Sequence, residues 1–373
     1  GVGEAENGGS ALGVLSELLL ATERAVAGGA QRTLGLVAAP LRARGWDVSA
    51  LVGEPGPLVD DLLADGITTT VTADADAVAD AAPDVVLSMG ATGHGWAGAA
   101  AGRAGIPAAW WLDLTLRGRP AEARATGTPA IAAAAPTIRA ADALRARAPE
   151  LPVAVIAPGA TWGDLDRHRA AADDVRRSLG MPADGALLVM VARLDPIKGQ
   201  DTAIDAVAAL RATGTDVHLA LVGGAVVGHE GDLVERLRAQ TDRLGLADRV
   251  HHVGFVDDPG PWLAAATIAV QASAHEAFGL SVVEGLAHGA PTVASATDGP
   301  SEILDGGRYG VLTPPGDAEA LAAAVADLLA DPDRRRELAA TGPARAAAFT
   351  PVAAARRWDD LLRTHLATGL GRP

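Results

Sequence analysis

The chain has 373 residues, 49% of them hydrophobic and 21% charged, with a formal net charge of −15 and no cysteine. Its length predicts two domains rather than one core. Its acidity argues against a main task of gripping nucleic acid or an anionic membrane surface, and the absence of cysteine excludes disulfides, thiolate metal sites and cysteine nucleophiles.

The opening stretch, "GVGEAENGGSALG", shows no basic segment followed by an apolar core, and it reads as a disordered leader rather than a signal peptide. No apolar run reaches the length needed to cross a membrane, so no integral membrane segment and a cytoplasmic location are the expectations. "ELLLAT" (17–22), "WDVSALV" (46–52), "DVVLSMG" (84–90) and "PAAWWLDL" (107–114) predict buried parallel strands, with helices such as "QRTLGLVAAPLRARG" (31–45) between them. The pattern breaks over 115–130 and resumes with "AIAAAA" and "LPVAVIAPGA".

A second series begins near residue 186. "ALLVMVA", "VHLALVGG", "RVHHVGFV", "TIAVQAS", "PTVASA" and "GVLTPP" read as strands; "DTAIDAVAALRATG", "GDLVERLRAQTDRLG", "LSVVEGLAHG" and "AEALAAAVADLLADP" read as helices. Two successive α/β series predict two doubly wound domains facing each other, with a hinge near 157–166 and a last helix, "TPVAAARRWDDLLRTHLA", that crosses back to the first domain. The boundaries expected are 1–160 for the N-terminal domain, completed by 350–373, and 161–349 for the C-terminal domain.

Ligands of such sheets bind beyond the carboxyl ends of the strands, so polar residues there are the candidates. Lys198 is the chain's one lysine. It follows "ALLVMVA" and Arg193, just before a helix that begins near Asp201. Two cations beside helix amides make either a diphosphate clamp or an ordinary solvated loop. In "SAHEAFGLSVVEGLAHG" Glu276 follows a strand, and Phe278, Gly279 and Leu280 open a helix whose free amides can receive sugar or phosphate oxygens. Glu284 sits one turn into that helix between apolar neighbours, where a plain surface acid is hard to sustain. Both carboxylates can accept hydrogen bonds from vicinal hydroxyls, while Glu276 can equally be an acid at a helix N-terminus stabilised by the dipole. "DAD" (74–76) and "DLD" (164–166) have the look of metal-binding pairs but follow no strand end, and His251 and His252 in one strand point to opposite faces. No metal is expected. The absence of G-x-G-x-x-G in the first βα unit leaves a nicotinamide dehydrogenase poorly supported.

"VARLDPIKGQD", "LVGGAVVGHE", "VHHVGFVDD" and "HEAFGLSVVEGLAHGAPTVASATDGPSEIL" together resemble the C-terminal domain of the retaining family 4 glycosyltransferases of GT-B fold, with the family's E-x7-E spacing from Glu276 to Glu284. "GGAQRTLGLVAAPLRARGWDVSALV" is similar to the family's glycine-rich turn, first helix and second strand. The resemblance implies a hexosyl transfer from a UDP-, GDP- or dTDP-linked donor to a small-molecule or glycan acceptor, with no further cofactor. It implies that the N-terminal domain binds the acceptor and the C-terminal domain the nucleotide sugar. Arg193 and Lys198 would hold the donor diphosphate, Glu276 the donor sugar, Glu284 the ribose. Gly28 and Gly29 would face the diphosphate, while Gly223, Gly224 and the backbone near Phe255 and Val256 would border the base. The family's N-domain histidine falls on Asp113 here, a departure that makes Asp113 either a substrate contact or a strand-end acid. His94, in "SMGATGHGWAG", is the other N-domain candidate. Trp110 and Trp111 form either an acceptor wall or part of the core. The departure keeps open a catalytically inactive binding partner, and the fold itself admits a sugar-nucleotide epimerase or phosphorylase.

Overall fold

A computed structural model describes residues 16–25, 29–112, 120–182, 184–224 and 230–367. The first sheet holds β1 (Ser16–Thr22), β2 (Trp46–Val52), β3 (Thr68–Val71), β4 (Val85–Met89), β5 (Ala108–Trp111), β6 (Ala132–Ala135) and β7 (Val153–Val155). Its order is β3-β2-β1-β4-β5-β6-β7, with every pair parallel. The second sheet holds β8 (Ala186–Val191), β9 (Val217–Val222), β10 (Val250–Gly254), β11 (Ile268–Gln271), β12 (Thr292–Ser295) and β13 (Val311–Thr313). Its order is β10-β9-β8-β11-β12-β13, again parallel throughout.

Strands buried on both faces are continuous apolar runs, and β1, β4 and β8 fit that rule. Each sheet reverses its winding once, between β1 and β4 and between β8 and β11, and crevices form at such points. The chain therefore has the GT-B architecture of two Rossmann-like sheets.

β3 escaped the sequence reading. Its "TTTV" has no apolar face because it is an edge strand with three of its four residues exposed. The helix Pro332–Ala346 was also missed: "DPDRRREL" lacks an apolar stripe, but Asp331 caps it through Arg334 N and a proline sits in its first turn.

The helix Pro351–Ala367 packs on the first sheet, where Trp358 is fully buried and meets Trp111 edge to face at 5.3 Å. Asp359 fixes it there, accepting from Trp46 Nε1 at 2.8 Å, Arg44 Nε at 2.8 Å and Arg363 Nε at 2.5 Å. Burial pushes this carboxyl up, but those donors outweigh burial and hold it below the usual carboxylate range. A second tie joins the two halves. Glu302 Oε1, from the helix Asp298–Ile303, accepts from Ile138 N at 2.6 Å, and Arg139 pairs with Asp298 at 3.2 Å. Glu302 thus answers the free amides at the start of the helix Ile138–Arg147.

Candidate functional site

A cavity of about 380 Å³ lies between the two sheets. Thr33, Met89 and Trp111 wall it from the first half; Lys198, Glu276 and Phe278 wall it from the second. The second-half residues come from the loops after β8 and β11, the two strands that flank the reversal.

After β8, Asp195 accepts from Ile197 N and starts a short 3-10 turn, Pro196–Lys198. Gly199 follows at φ 74, and a Cβ there would lie 2.1 Å from the carbonyl oxygen of Ala272. Only glycine lets the two loops close on each other. That contact brings Lys198 to the β11 loop, where its Nζ donates to Glu276 Oε2 at 2.6 Å. Gln271 Nε2 and Ser273 Oγ also point to Oε2, each at 3.4 Å. Arg193 lines the same cavity, is half exposed, and pairs with Asp195 at 3.0 Å. Gln200 Nε2 donates to the Arg193 carbonyl at 2.8 Å and so fixes the loop.

Phe278, Gly279 and Leu280 complete the wall at the start of the helix Leu280–Ala287, with Gly279 as its N-cap at φ 103. Glu284, one turn on, is not part of the cavity wall. Burial pushes its carboxyl up, and Arg32 of the helix Gly29–Arg42 pulls it partly back. Beneath it, Asp258 Oδ2, His168 and His288 are linked by contacts of 2.9 and 3.0 Å, and His288 Nδ1 donates to the Glu284 carbonyl at 2.7 Å. This chain braces the helix from inside the second half.

The structure thus brings Arg193, Lys198, Glu276, Phe278, Gly279 and Leu280 to one cavity. Gly29 begins a helix whose Thr33 also reaches it. Gly223, Gly224 and Val256 stand outside the wall. Gly223, at φ 143, packs against the Ala192 carbonyl, and Gly224 packs against Phe255, whose ring is exposed. Gly28 and Asp113 lie outside the described residues.

His94 is not the loop histidine the sequence suggested. It begins a π-helical turn, is fully buried, and is absent from the cavity wall. Its Nδ1 meets Ser88 Oγ at 2.7 Å and its ring stacks on Trp110 at 5.2 Å. Burial lowers its pKa to about 4. The glycine-rich stretch suggested a loop, but here it forms a helical turn in which Gly98 packs on the histidine ring, where a Cβ would lie 2.3 Å from Nδ1. Trp110 is correspondingly core, and only Trp111 borders the cavity. The paired aspartates also have local tasks: Asp164 caps the helix Leu165–Ser178, and Asp76 pairs with Arg103. Among the described residues no group of three or more histidines or carboxylates is placed to hold a metal ion, and no helix is long and apolar enough to cross a membrane.

Sequence reasoning missed Gln271, Ser273, Thr33 and Arg32. A signal for the first was present: a glutamine closing the otherwise apolar run "TIAVQ" of a central strand.

Two parallel sheets that reverse winding beside a shared cavity define a GT-B protein. Residues 172–345 match the family model described as Glycosyl transferases group 1. Residues 172–345 thus form a Glycosyl transferases group 1 domain, and the fold around it matches that of solved GT-B glycosyltransferases. The relatives include a D-inositol 3-phosphate glycosyltransferase 2 of Catenulispora acidiphila, 36% identical over 56% of this chain and 50% of that protein. Another is the lipopolysaccharide core biosynthesis glycosyltransferase LpsE of Rhizobium meliloti, 36% identical over 45% of this chain and 46% of the relative. The chain spans about half the length of the curated relatives it matches. Among solved structures, Anabaena HepE in complex with UDP superposes with a TM-score of 0.82 at 26% identity, covering 94% of this chain and 100% of that one. HepE has also been solved with UDP-glucose.

Proposed function

We propose that this chain is a retaining, nucleotide-sugar-dependent glycosyltransferase. The observation that carries the reading is the meeting of Lys198 and Glu276 at 2.6 Å in the wall of the cavity between the sheets, beside the residues that open the helix Leu280–Ala287. A cation and a hydroxyl acceptor held side by side match a sugar diphosphate, which presents an anion and a ring of hydroxyls at adjacent atoms. The UDP and UDP-glucose complexes of HepE support a donor of this kind, UDP-linked in the first instance.

In this reading Arg193 and Lys198 bind the diphosphate, with amides of Phe278, Gly279 and Leu280 adding neutral donors. Gly28 and Gly29 face the same group from the first half. Glu276 accepts from the transferred sugar, and Glu284 accepts from the ribose. Gly223, Gly224 and Val256 border the base, with the exposed Phe255 ring as a stacking surface. The residues 1–160, completed by the last helix, receive the acceptor, and 161–349 hold the donor. Asp113 supplies an N-domain contact to a sugar or acceptor hydroxyl. The acceptor is a small molecule or glycan, in line with the phosphorylated inositol and lipopolysaccharide core named for two relatives.

The reaction breaks the bond between the anomeric carbon and the β-phosphate oxygen, and the electron pair leaves with the diphosphate. The acceptor oxygen bonds to the same face of that carbon. Its proton passes to the leaving phosphate, so no separate protein base is needed. Fixed donors aimed at the departing oxygens stabilise the charge that develops there. The test is to incubate the protein with UDP-, GDP- and dTDP-glucose, with and without inositol phosphate or core oligosaccharide, and to follow nucleotide release and the anomeric configuration of the product by NMR. Transfer with retained configuration supports the reading. Nucleotide binding without transfer or hydrolysis would instead favour an inactive binding partner.

A further inference from the structure

β11 is a central strand, paired to β8 on one side and β12 on the other. Ile268, Ala269 and Val270 are apolar and buried, as that position demands. Gln271 ends the strand only 5% exposed, and it borders the cavity. Its Nε2 reaches Glu276 Oε2 at 3.4 Å, but its Oε1 is buried with no hydrogen-bond partner. An unpaired buried acceptor is destabilising, whereas a leucine of similar size would leave none. The three donors described for Glu276, from Lys198, Gln271 and Ser273, all converge on Oε2, so its Oε1 stands open to another donor.

We infer that Gln271 reads the transferred sugar, taking one hydroxyl on its Oε1 while Glu276 Oε1 takes the neighbouring one. The inference rests on the donor site proposed above and names its substrate class: a hexosyl group with two adjacent free hydroxyls at this wall. Ionised phosphate oxygens only accept hydrogen bonds, so the diphosphate cannot satisfy Gln271 Oε1. A sugar hydroxyl can. Two acceptors on side chains already in contact with each other suit a vicinal pair. Removing the hydroxyl that answers Gln271 leaves a buried acceptor unpaired, which is how a site rejects an analogue that lacks one polar group.

The experiment is calorimetry on wild type and Gln271→Leu with UDP, UDP-glucose and the 2-, 3-, 4- and 6-deoxy analogues of UDP-glucose, together with melting curves of the free proteins. Gln271→Leu should bind UDP within about twofold of wild type and UDP-glucose about tenfold more weakly, as expected for one lost hydrogen bond. One deoxy analogue should bind wild type about tenfold more weakly than UDP-glucose yet bind wild type and variant alike. The free variant should melt no lower than wild type, because the unpaired oxygen is gone; a purely structural glutamine would show the opposite. Gln271→Met serves as the second variant if leucine prevents folding. Equal loss of UDP and UDP-glucose, or additive effects with every deoxy analogue, would overturn the inference while leaving the donor site intact. If wild type binds none of UDP-, GDP- and dTDP-glucose, the nucleotide-sugar reading fails, and this inference with it.

Discussion

The ion pair between Lys198 and Glu276 is the most informative place to perturb. Its side chains are 18% and 16% exposed, and its atoms are 2.6 Å apart. Breaking a fully buried pair by removing one partner costs about 3–5 kcal/mol, because the other charge is left uncompensated. Partial exposure here moves the expectation towards the range of a charge-assisted hydrogen bond, about 1.5–3 kcal/mol. Lys198→Met leaves Glu276 with only two long contacts, from Gln271 and Ser273. Lys198→Met and Glu276→Gln should therefore each lower stability by about 2 kcal/mol, which is roughly 4–8 °C in the melting of a unit this size. The double variant should lie within about 1 kcal/mol of wild type, since it removes both charges together.

Binding separates the two residues. Lys198→Met should weaken UDP about 10- to 100-fold, the equivalent of one lost charge-assisted contact to phosphate. Lys198→Arg should also be impaired, because the planar fork is larger than the ammonium it replaces. Glu276→Gln should leave UDP affinity unchanged or improved, since it releases Lys198, while turnover with a nucleotide sugar falls. Thermal and urea melts with calorimetry on the three variants provide the cycle. Strictly additive stabilities, or unchanged UDP affinity in Lys198→Met, would refute the argument.

The remaining predictions concern single buried groups. Glu284 carries a raised pKa from burial, so its ionised form costs stability that grows as pH rises from the unfolded towards the folded value. Free Glu284→Gln should accordingly melt no lower than wild type at neutral pH, yet bind UDP about 10-fold or more weakly by calorimetry if the carboxylate holds the ribose. His94, lowered to about 4, is protonated first in the unfolded chain as pH falls; stability should be complete above about pH 6.5 and decline down to about pH 4, by about 3 kcal/mol in total. Melts of wild type and His94→Phe across that window test this, and an equal slope in both would assign the loss elsewhere. Asp359→Ala leaves three donors unpaired beneath the last helix and should destabilise the first half by about 3 kcal/mol. Its stabilisation is present above the unfolded carboxylate pKa and is lost as pH falls through the lowered folded value, so the variant's deficit should shrink in strong acid.

What the sequence made legible follows from physics that acts locally. Buried parallel strands are continuous apolar runs, so β8, β9, β11 and β12 could be read directly, and Lys198 and Glu276 stood out because each follows such a run. β3 was invisible because an edge strand needs no apolar face. The burial of His94 depends on the Trp110 ring, which comes from another strand, and no pattern within "GATGHGWAG" encodes that contact. The tie between Glu302 and the amide of Ile138, like the approach of Arg32 to Glu284, joins elements far apart in sequence. Such pairs exist only once the two sheets face each other.

Several features of the cavity leave the free protein short of its best stability. Gln271 Oε1 is unpaired, Glu284 is a carboxylate pushed towards its neutral form, and Glu276 is satisfied on one oxygen only. Replacing Gln271 or Glu284 by an apolar or neutral residue would remove a penalty, as sites shaped for function commonly allow, whereas Glu276 is held by its pair with Lys198. Each penalty has the same remedy, a ligand that brings hydroxyl donors. Binding energy is thus linked to folding energy at this cavity. A nucleotide sugar at 100 times its dissociation constant should stabilise the protein by about 2.7 kcal/mol through mass action. That gain should shrink in Gln271→Leu and Glu284→Gln, whose affinity is lower at the same ligand concentration, even though neither variant is less stable when free. A stability order that inverts between the free and liganded states is the signature of residues kept for the ligand. An order that stays the same in both states would mean that these groups serve the fold alone.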